Sequence, residues 1–259
     1  MGIPLRQKAY ISVMIIRRLL AGRRKFPLVL MLEPLFRCNL HCRGCGKIKQ
    51  AENTSDLDVD SCLAAARECG APVVSIAGGE PLLHPDMPAI VKALTVSRHF
   101  VYLCTNALLV KKRIHEFTPS PFFTFNIHLD GLKNRHDTLV GRPGTFDSAV
   151  EAIRMLIRKG FRVTTNTTVF SDEAPEDTAS FFDFLTGLGI EGITVAPGFN
   201  FDSAPDPGHF LVDRAETCKR FLRILELGKN KGWQFNHSSL YLDFLAGHQD
   251  YQCTPWGNP

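Results

Sequence analysis

Residues 26–48 read FPLVLMLEPLFRCNLHCRGCGKI. The first part, Leu28 to Leu32, is a short apolar run of the kind that forms a strand in a parallel sheet. Three cysteines follow at once, spaced Cys38-x3-Cys42-x2-Cys45. A strand that opens into a loop of soft metal ligands puts those ligands at its carboxyl end, where β/α barrels carry their active sites. Three thiolates in one loop can hold three irons of a cubane and leave the fourth iron open for chemistry. The other reading at this point is a structural zinc site of the Cys3His type, with His41 inside the loop as the fourth ligand.

Downstream, short apolar runs alternate with longer amphipathic stretches, the signature of β/α units around a parallel sheet. Strands are expected near Leu28 to Leu32, Val73 to Ala77, Phe100 to Cys104, Phe123 to His128, Val163 to Val169 and Gly192 to Ala196. Between them the periodicity predicts helices over Val59 to Cys69, Asp86 to Ser97, Leu108 to Phe117, Phe146 to Lys159 and Pro175 to Leu188. Asp58 stands where an N-cap belongs, and Gly70, Gly160 and Gly189 stand where left-handed C-caps belong. Six such units close only part of an eight-fold barrel. The fold class expected is therefore α/β, a partial (β/α)6 TIM-like barrel with an N-terminal amphipathic helix and a C-terminal helical extension.

That organisation divides the chain into residues 1–25, a basic amphipathic helix; 26–197, the barrel; and 198–259, the extension. The extension holds a Pro/Gly-rich loop from Pro197 to Gly208, a helix from about Asp213 to about Lys229, a short run at Trp233 to Phe235 and a last helix from Leu240 to Ala246. The sequence ends in a loop-like stretch, as a fragment of a longer protein would.

After the second strand comes Gly78-Gly79-Glu80-Pro81, on the same face as the cysteine loop. Glycines there let backbone polar groups approach a ligand closely, and a carboxylate pairs well with an ammonium. The combination of C-x3-C-x2-C after strand one and GGEP after strand two resembles the radical SAM superfamily. What the resemblance implies is a [4Fe-4S] cluster on Cys38, Cys42 and Cys45 and S-adenosylmethionine (SAM) on its open iron, with Gly78, Gly79 and Glu80 holding the methionine amino end. Asn106, His128 and Asn166, at or near strand ends, are carried over as ribose and carboxylate contacts; ordinary loop capping is their other reading. Many members carry an aromatic residue just before the third cysteine, and here that position is Gly44, so adenine must be packed from elsewhere.

Four stretches carry a closer resemblance: Phe26 to Ile48, Glu68 to Pro88, Phe100 to Leu109 and Ser238 to Pro259 are similar to the adenosylhopane synthases of hopanoid biosynthesis. That likeness implies addition of the 5'-deoxyadenosyl radical to the alkene of diploptene, with electrons from a flavodoxin or ferredoxin. It also gives Cys104, whose other reading is a small buried hydrophobe, a role as hydrogen-atom donor, with Cys253 as its rival, and makes Phe199, Phe201 and Phe210 candidates for the hydrocarbon pocket, a packed loop being their other reading. Cys62, Cys69 and Cys218 read as core. Another radical SAM activity, such as a peptide maturase, and a non-enzymatic zinc-binding module are the alternatives.

Composition agrees with a globular enzyme, at 44% hydrophobic and 22% charged residues, and excludes wholesale disorder. The net charge of +4 is mild, but Arg6, Lys8, Arg17, Arg18, Arg23, Arg24 and Lys25 crowd the amino end. With Ile11, Val13, Met14, Ile15, Ile16, Leu19 and Leu20 among them, residues 4 to 21 read as a helix for a membrane surface and not as a nucleic-acid site. A helix packed on the domain with solvated arginines is the other reading. The run from Ile11 to Ile16 is too short to span a bilayer and lacks a cleavage site. The expectation is a cytoplasmic protein, peripheral on the inner face of the membrane, with reduced cysteines.

Overall fold

The structure is a computed structural model, and it describes residues 2–47, 55–198 and 213–250. Phe199, Phe201, Phe210 and Cys253 lie outside the described residues. Six strands form one parallel sheet in sequential order: β1 (Val29–Leu32), β2 (Val73–Ile76), β3 (Phe100–Thr105), β4 (Phe123–His128), β5 (Arg162–Val169) and β6 (Gly192–Pro197). The sheet curls into a half-barrel with helices on its outer face. The fold class expected from the sequence is the fold observed.

Register explains why this sheet can carry chemistry. Side chains alternate between faces, and paired residues of parallel strands share a face. Val74, Ile76, Val101, Leu103, Phe123, Phe125, Ile127, Val163, Ile193 and Val195 turn outward into the main core, all but excluded from solvent. The other set is mostly polar. Ser75 pairs with Tyr102, Cys104 with Asn126, Asn126 with Thr164, His128 with Asn166 and Thr168 with Ala196. These residues line the lumen in layers.

The outer helices are α2 (Val59–Cys69), α3 (Met87–Val96), α4 (Val110–Arg113), α5 (Lys133–Val140), α6 (Thr145–Arg158) and α7 (Pro175–Gly187), followed by α8 (Arg214–Leu227) and α9 (Ser239–Leu245). Asp58 caps α2 by accepting from the Ser61 amide at 2.8 Å, and Asp213 caps α8 from Glu216 at 2.7 Å. The sequence pattern placed one helix over Leu108 to Phe117. The chain instead makes the four residues of α4 and a 3-10 turn, Ile114–Glu116, before Phe117 turns extended. Helix α5 was missed altogether; it is polar, and its first turn has no side-chain cap. Its Asp137 holds the start of α6, accepting from the Gly144 and Phe146 amides at 2.7 and 2.8 Å.

The amino-terminal helix α1 (Leu5–Leu20) crosses the amino-terminal ends of the strands, opposite the cysteine loop. Gly2 N–H donates to Phe235 O at 3.1 Å beside β6, the Tyr102 hydroxyl donates to buried Gln7 at 3.1 Å, and Arg18 donates to Gly70 O at 2.6 Å just before β2. Tyr10 meets Phe100 edge to face, centroids 5.5 Å apart. The packed-helix reading therefore holds for its inner face. Among the described residues no helix is long and apolar enough to cross a membrane.

Candidate active site

The carboxyl ends of the strands surround a cavity of about 430 Å³, within the range of small-molecule sites. Ten of the residues singled out from the sequence line it: Cys38, Cys42, Cys45, Gly78, Gly79, Glu80, Cys104, Asn106, His128 and Asn166.

The glycine pair does more than open space for a ligand. Gly79 N–H donates to Leu35 O and Glu80 N–H to Arg37 O, both at 2.9 Å, so β2 clasps the strand-side root of the cysteine loop. A Cβ on Gly78 would run into Leu35 O and one on Gly79 into Arg37 O, and Gly78 also sits at φ +103°. Only glycine fits both demands. Within the loop, between the second and third cysteines, the Arg43 amide donates to Leu139 O at the end of α5, at 2.9 Å.

Glu80 is 1% exposed. One carboxylate oxygen accepts from Leu82 N–H at 3.0 Å and from the Thr105 hydroxyl at 2.6 Å, while the other accepts from Asn106 N–H at 2.8 Å. Burial raises its pKa, and these donors partly offset the rise. A carboxylate has about four acceptor sites, so Glu80 keeps an edge for a cation while tying β2 to β3. Asn106 reaches back to the cysteine loop, donating to Asn39 Oδ1 at 2.7 Å.

At the end of β4, His128 Nε2 lies 2.7 Å from Asp130 Oδ2. Burial works against a charged His128, but Asp130 outweighs it and the imidazole stays above the usual histidine range. Asp130 is fixed on two more sides, accepting from Thr168 N–H at 2.7 Å and donating its own amide to His136 Nδ1 at 3.1 Å. His136, 1% exposed on α5, is held neutral, its pKa lowered by burial to about 4.

The floor is a polar chain across four strands. Ser75 Oγ is 3.5 Å from Cys104 Sγ, Asn126 Nδ2 donates to the same sulfur at 3.4 Å, and Thr164 donates to Asn126 Oδ1 at 3.0 Å. Burial raises the pKa of Cys104, so it is a thiol. Sequence reasoning did not single out Asn126, Asp130, His136 or Thr168 as site residues. Asn126 was within reach, because it lies two residues before His128 and strand alternation puts both on one face.

The donor set fits an iron-sulfur cluster and SAM. Burial raises the pKa of Cys42, and Asp130, Cys45 and Cys38 raise it further, so these thiols interact and a cationic centre is what would ionise them. Cys38, Cys42 and Cys45 share the lining of the cavity, whereas His41, the fourth ligand of the zinc reading, is exposed and is not part of that lining. Phe36 and Phe170 line the cavity and supply the aromatic surface that Gly44 lacks. Cys62 is wholly buried as expected, whereas Cys69 and Cys218 are half-buried.

Known proteins bear on this site in three ways. The model of the Radical SAM superfamily matches residues 32–185, and that of a domain of unknown function, DUF3463, matches residues 193–259. The chain is 29% identical to an AdoMet-dependent heme synthase of Methanosarcina barkeri, over 62% of this chain and 52% of that protein. It is 28% identical to a GTP 3',8-cyclase of Chlorobaculum tepidum, over 53% and 45%. The matches thus span about half the length of these relatives. SuiB of Streptococcus suis bound to S-adenosylmethionine superposes with a TM-score of 0.72 at 20% identity, over 94% of this chain and 59% of that one. Methylornithine synthase does so with 0.60 at 16%, over 93% and 75%. At such identities these two establish the shared half-barrel alone. The superfamily match, however, runs from the end of β1 through most of α7, more than half of the sequence, and on it the chain belongs to the radical SAM superfamily, whose members bind a [4Fe-4S] cluster and S-adenosylmethionine.

Proposed function

We propose that this protein adds the 5'-deoxyadenosyl group of SAM to the terminal alkene carbon of diploptene, the adenosylhopane synthase reaction. The observation that carries the reading is Cys104, a protonated thiol on the floor of a cavity whose walls include Phe36, Leu40, Leu139 and Phe170. A hydrocarbon needs apolar walls, and a carbon radical needs a hydrogen atom. The similarity of four stretches of this sequence to that family supports the same assignment.

When bound on Cys38, Cys42 and Cys45 and reduced by a flavodoxin- or ferredoxin-type donor, the cluster and SAM supply the adenosyl radical and methionine. The residues of the chain position and exclude. Glu80 offers its free edge to the SAM ammonium, and Asn106, His128 and Asn166 offer polar contacts to ribose and carboxylate. Bond formation at the terminal carbon of diploptene leaves the unpaired electron on the tertiary carbon. Cys104 delivers its hydrogen atom there from one face, and its thiyl sulfur then regains one electron from the external donor and one proton from water.

Anaerobic turnover with diploptene, SAM and dithionite, read by mass spectrometry, is expected to give an adenosylated adduct. Free 5'-deoxyadenosine beside unchanged alkene would overturn the reading. Cys104→Ala is expected to keep its cluster and lose the single stereoisomer; the same isomer at the same rate would remove Cys104 from the mechanism.

A further inference from the structure

Helix α1 has two apolar faces, and the barrel uses one. Gln7, Ile11, Met14, Ile15 and Arg18 turn inward, buried or half-buried. On the far side Leu5, Val13, Ile16, Leu19 and Leu20 are 48 to 83% exposed. At 100° per residue these five make one continuous stripe, with Arg6 and Arg17 along one border and Lys8 along the other. An open groove beside the stripe is lined by Arg6, Tyr10, Val13, Met14, Arg17 and Arg23. Arg23, Arg24 and Lys25 continue the basic series past the helix end, and all three are exposed. The first acidic residue of the whole chain is Glu33, after seven lysines and arginines.

We propose that this outer face of α1 docks on an anionic bilayer surface, with the stripe entering the acyl boundary and the arginines meeting headgroup phosphates. Charge selects this occupant. A second copy of the chain seated on the stripe would set six cations (Arg6, Lys8, Arg17, Arg23, Arg24 and Lys25) against six, and a nucleic acid would have no use for five exposed aliphatic side chains. The docked orientation follows from the fold. Because α1 covers the amino-terminal mouth of the barrel, the cavity faces away from the lipid, about 20 Å above it for six-residue strands. Between the two ends β1 presents an apolar surface, with Val29 and Met31 51 and 59% exposed on the face they share by register with Val73 and Ser75. The proposal stands whether or not diploptene is the substrate.

The test is flotation of the full-length, cluster-loaded protein with vesicles of equal parts phosphatidylglycerol and phosphatidylcholine, and with phosphatidylcholine alone. Binding to the anionic vesicles is expected, weakening as salt rises. Arg23→Gln with Arg24→Gln is expected to weaken it about fivefold per charge, and Ile16→Ser with Leu20→Ser about tenfold per side chain. Both pairs lie on exposed positions, so iron content and circular dichroism should match the parent. The proposal is overturned if the parent does not float with anionic vesicles or if both double variants bind as the parent does. It is equally overturned if the Ile16/Leu20 variant abolishes a dimer or binding of an RNA oligonucleotide while leaving vesicle binding intact.

Discussion

The carboxyl end of the barrel and its amino end are held together by different physics. Around the cavity, Glu80, Asn106, Asp130, Thr105 and Thr168 sit in a mesh of short hydrogen bonds, nearly all out of solvent. At the other end α1 is seated by a few scattered contacts, the separate hydrogen bonds of Gln7 and Arg18, Tyr10 on Phe100 and Arg6 over Phe122 at 5.0 Å among them, and turns aliphatic side chains to the outside. A buried polar mesh has one good arrangement, because each unmet donor carries its desolvation penalty. Dispersed apolar and cationic contacts have many. The first end should answer to pH and to changes of single atoms, the second to salt and to changes of several residues together.

The most severe break is at the cluster. Cys42→Ala is expected to abolish turnover and cluster-dependent visible absorption, measured with iron and sulfide content after anaerobic reconstitution; full loading would refute its role. Glu80→Ala strands three donors and is expected to lower unfolding free energy by roughly 4 kcal/mol in urea titrations, since each buried unmet donor costs about 1–3 kcal/mol. Acid probes the same end through His136. Its folded pKa, about 4, lies below the ordinary value of 6.5, so the unfolded chain takes up its proton first. Stability from this group is complete above about 6.5 and is lost as pH falls towards 4, by about 3 kcal/mol in all. His136→Gln should remove that part of the acid slope, and an unchanged slope would assign it elsewhere. At the amino end, Gln7→Ala leaves the half-buried Tyr102 hydroxyl without its partner and should cost about 1 kcal/mol. Smallest of all, Ile16→Ser should move stability by less than about 0.5 kcal/mol. A large loss there would mean that the outer stripe of α1 belongs to the core.

How far the sequence reaches differs between these ends. All six strands were legible, since the outward set of each is apolar or β-branched (on β5 Val163, Thr165, Thr167 and Val169) whatever the lumen set carries. The cysteine loop and the glycine pair were legible as motifs, but the packing role of Gly78 and Gly79 was not, because Leu35 and Arg37 meet them through backbone oxygens that no sequence displays. Helix α5 escaped because its buried residues are His136, Leu139 and Val140, too short a stripe to set a period in eight residues. With it went His136, which makes sense only beside Asp130. For α1 the sequence showed an amphipathic helix, and only the fold could show that its two apolar faces have separate fates.

The clasp between β2 and the root of the cysteine loop bears on the order of assembly. In a small zinc module the metal supplies the folding energy, and the bare chain is unfolded. Here Gly79 and Glu80 tie down Leu35 and Arg37 through backbone atoms, while Arg43 is moored to the end of α5. The root of the ligand loop and a point between its second and third cysteines are therefore anchored by backbone bonds to the segment after β2 and to α5. The chain is built to fold first and be loaded afterwards, so losing its cluster to oxygen should leave an intact vessel that a cell can refill.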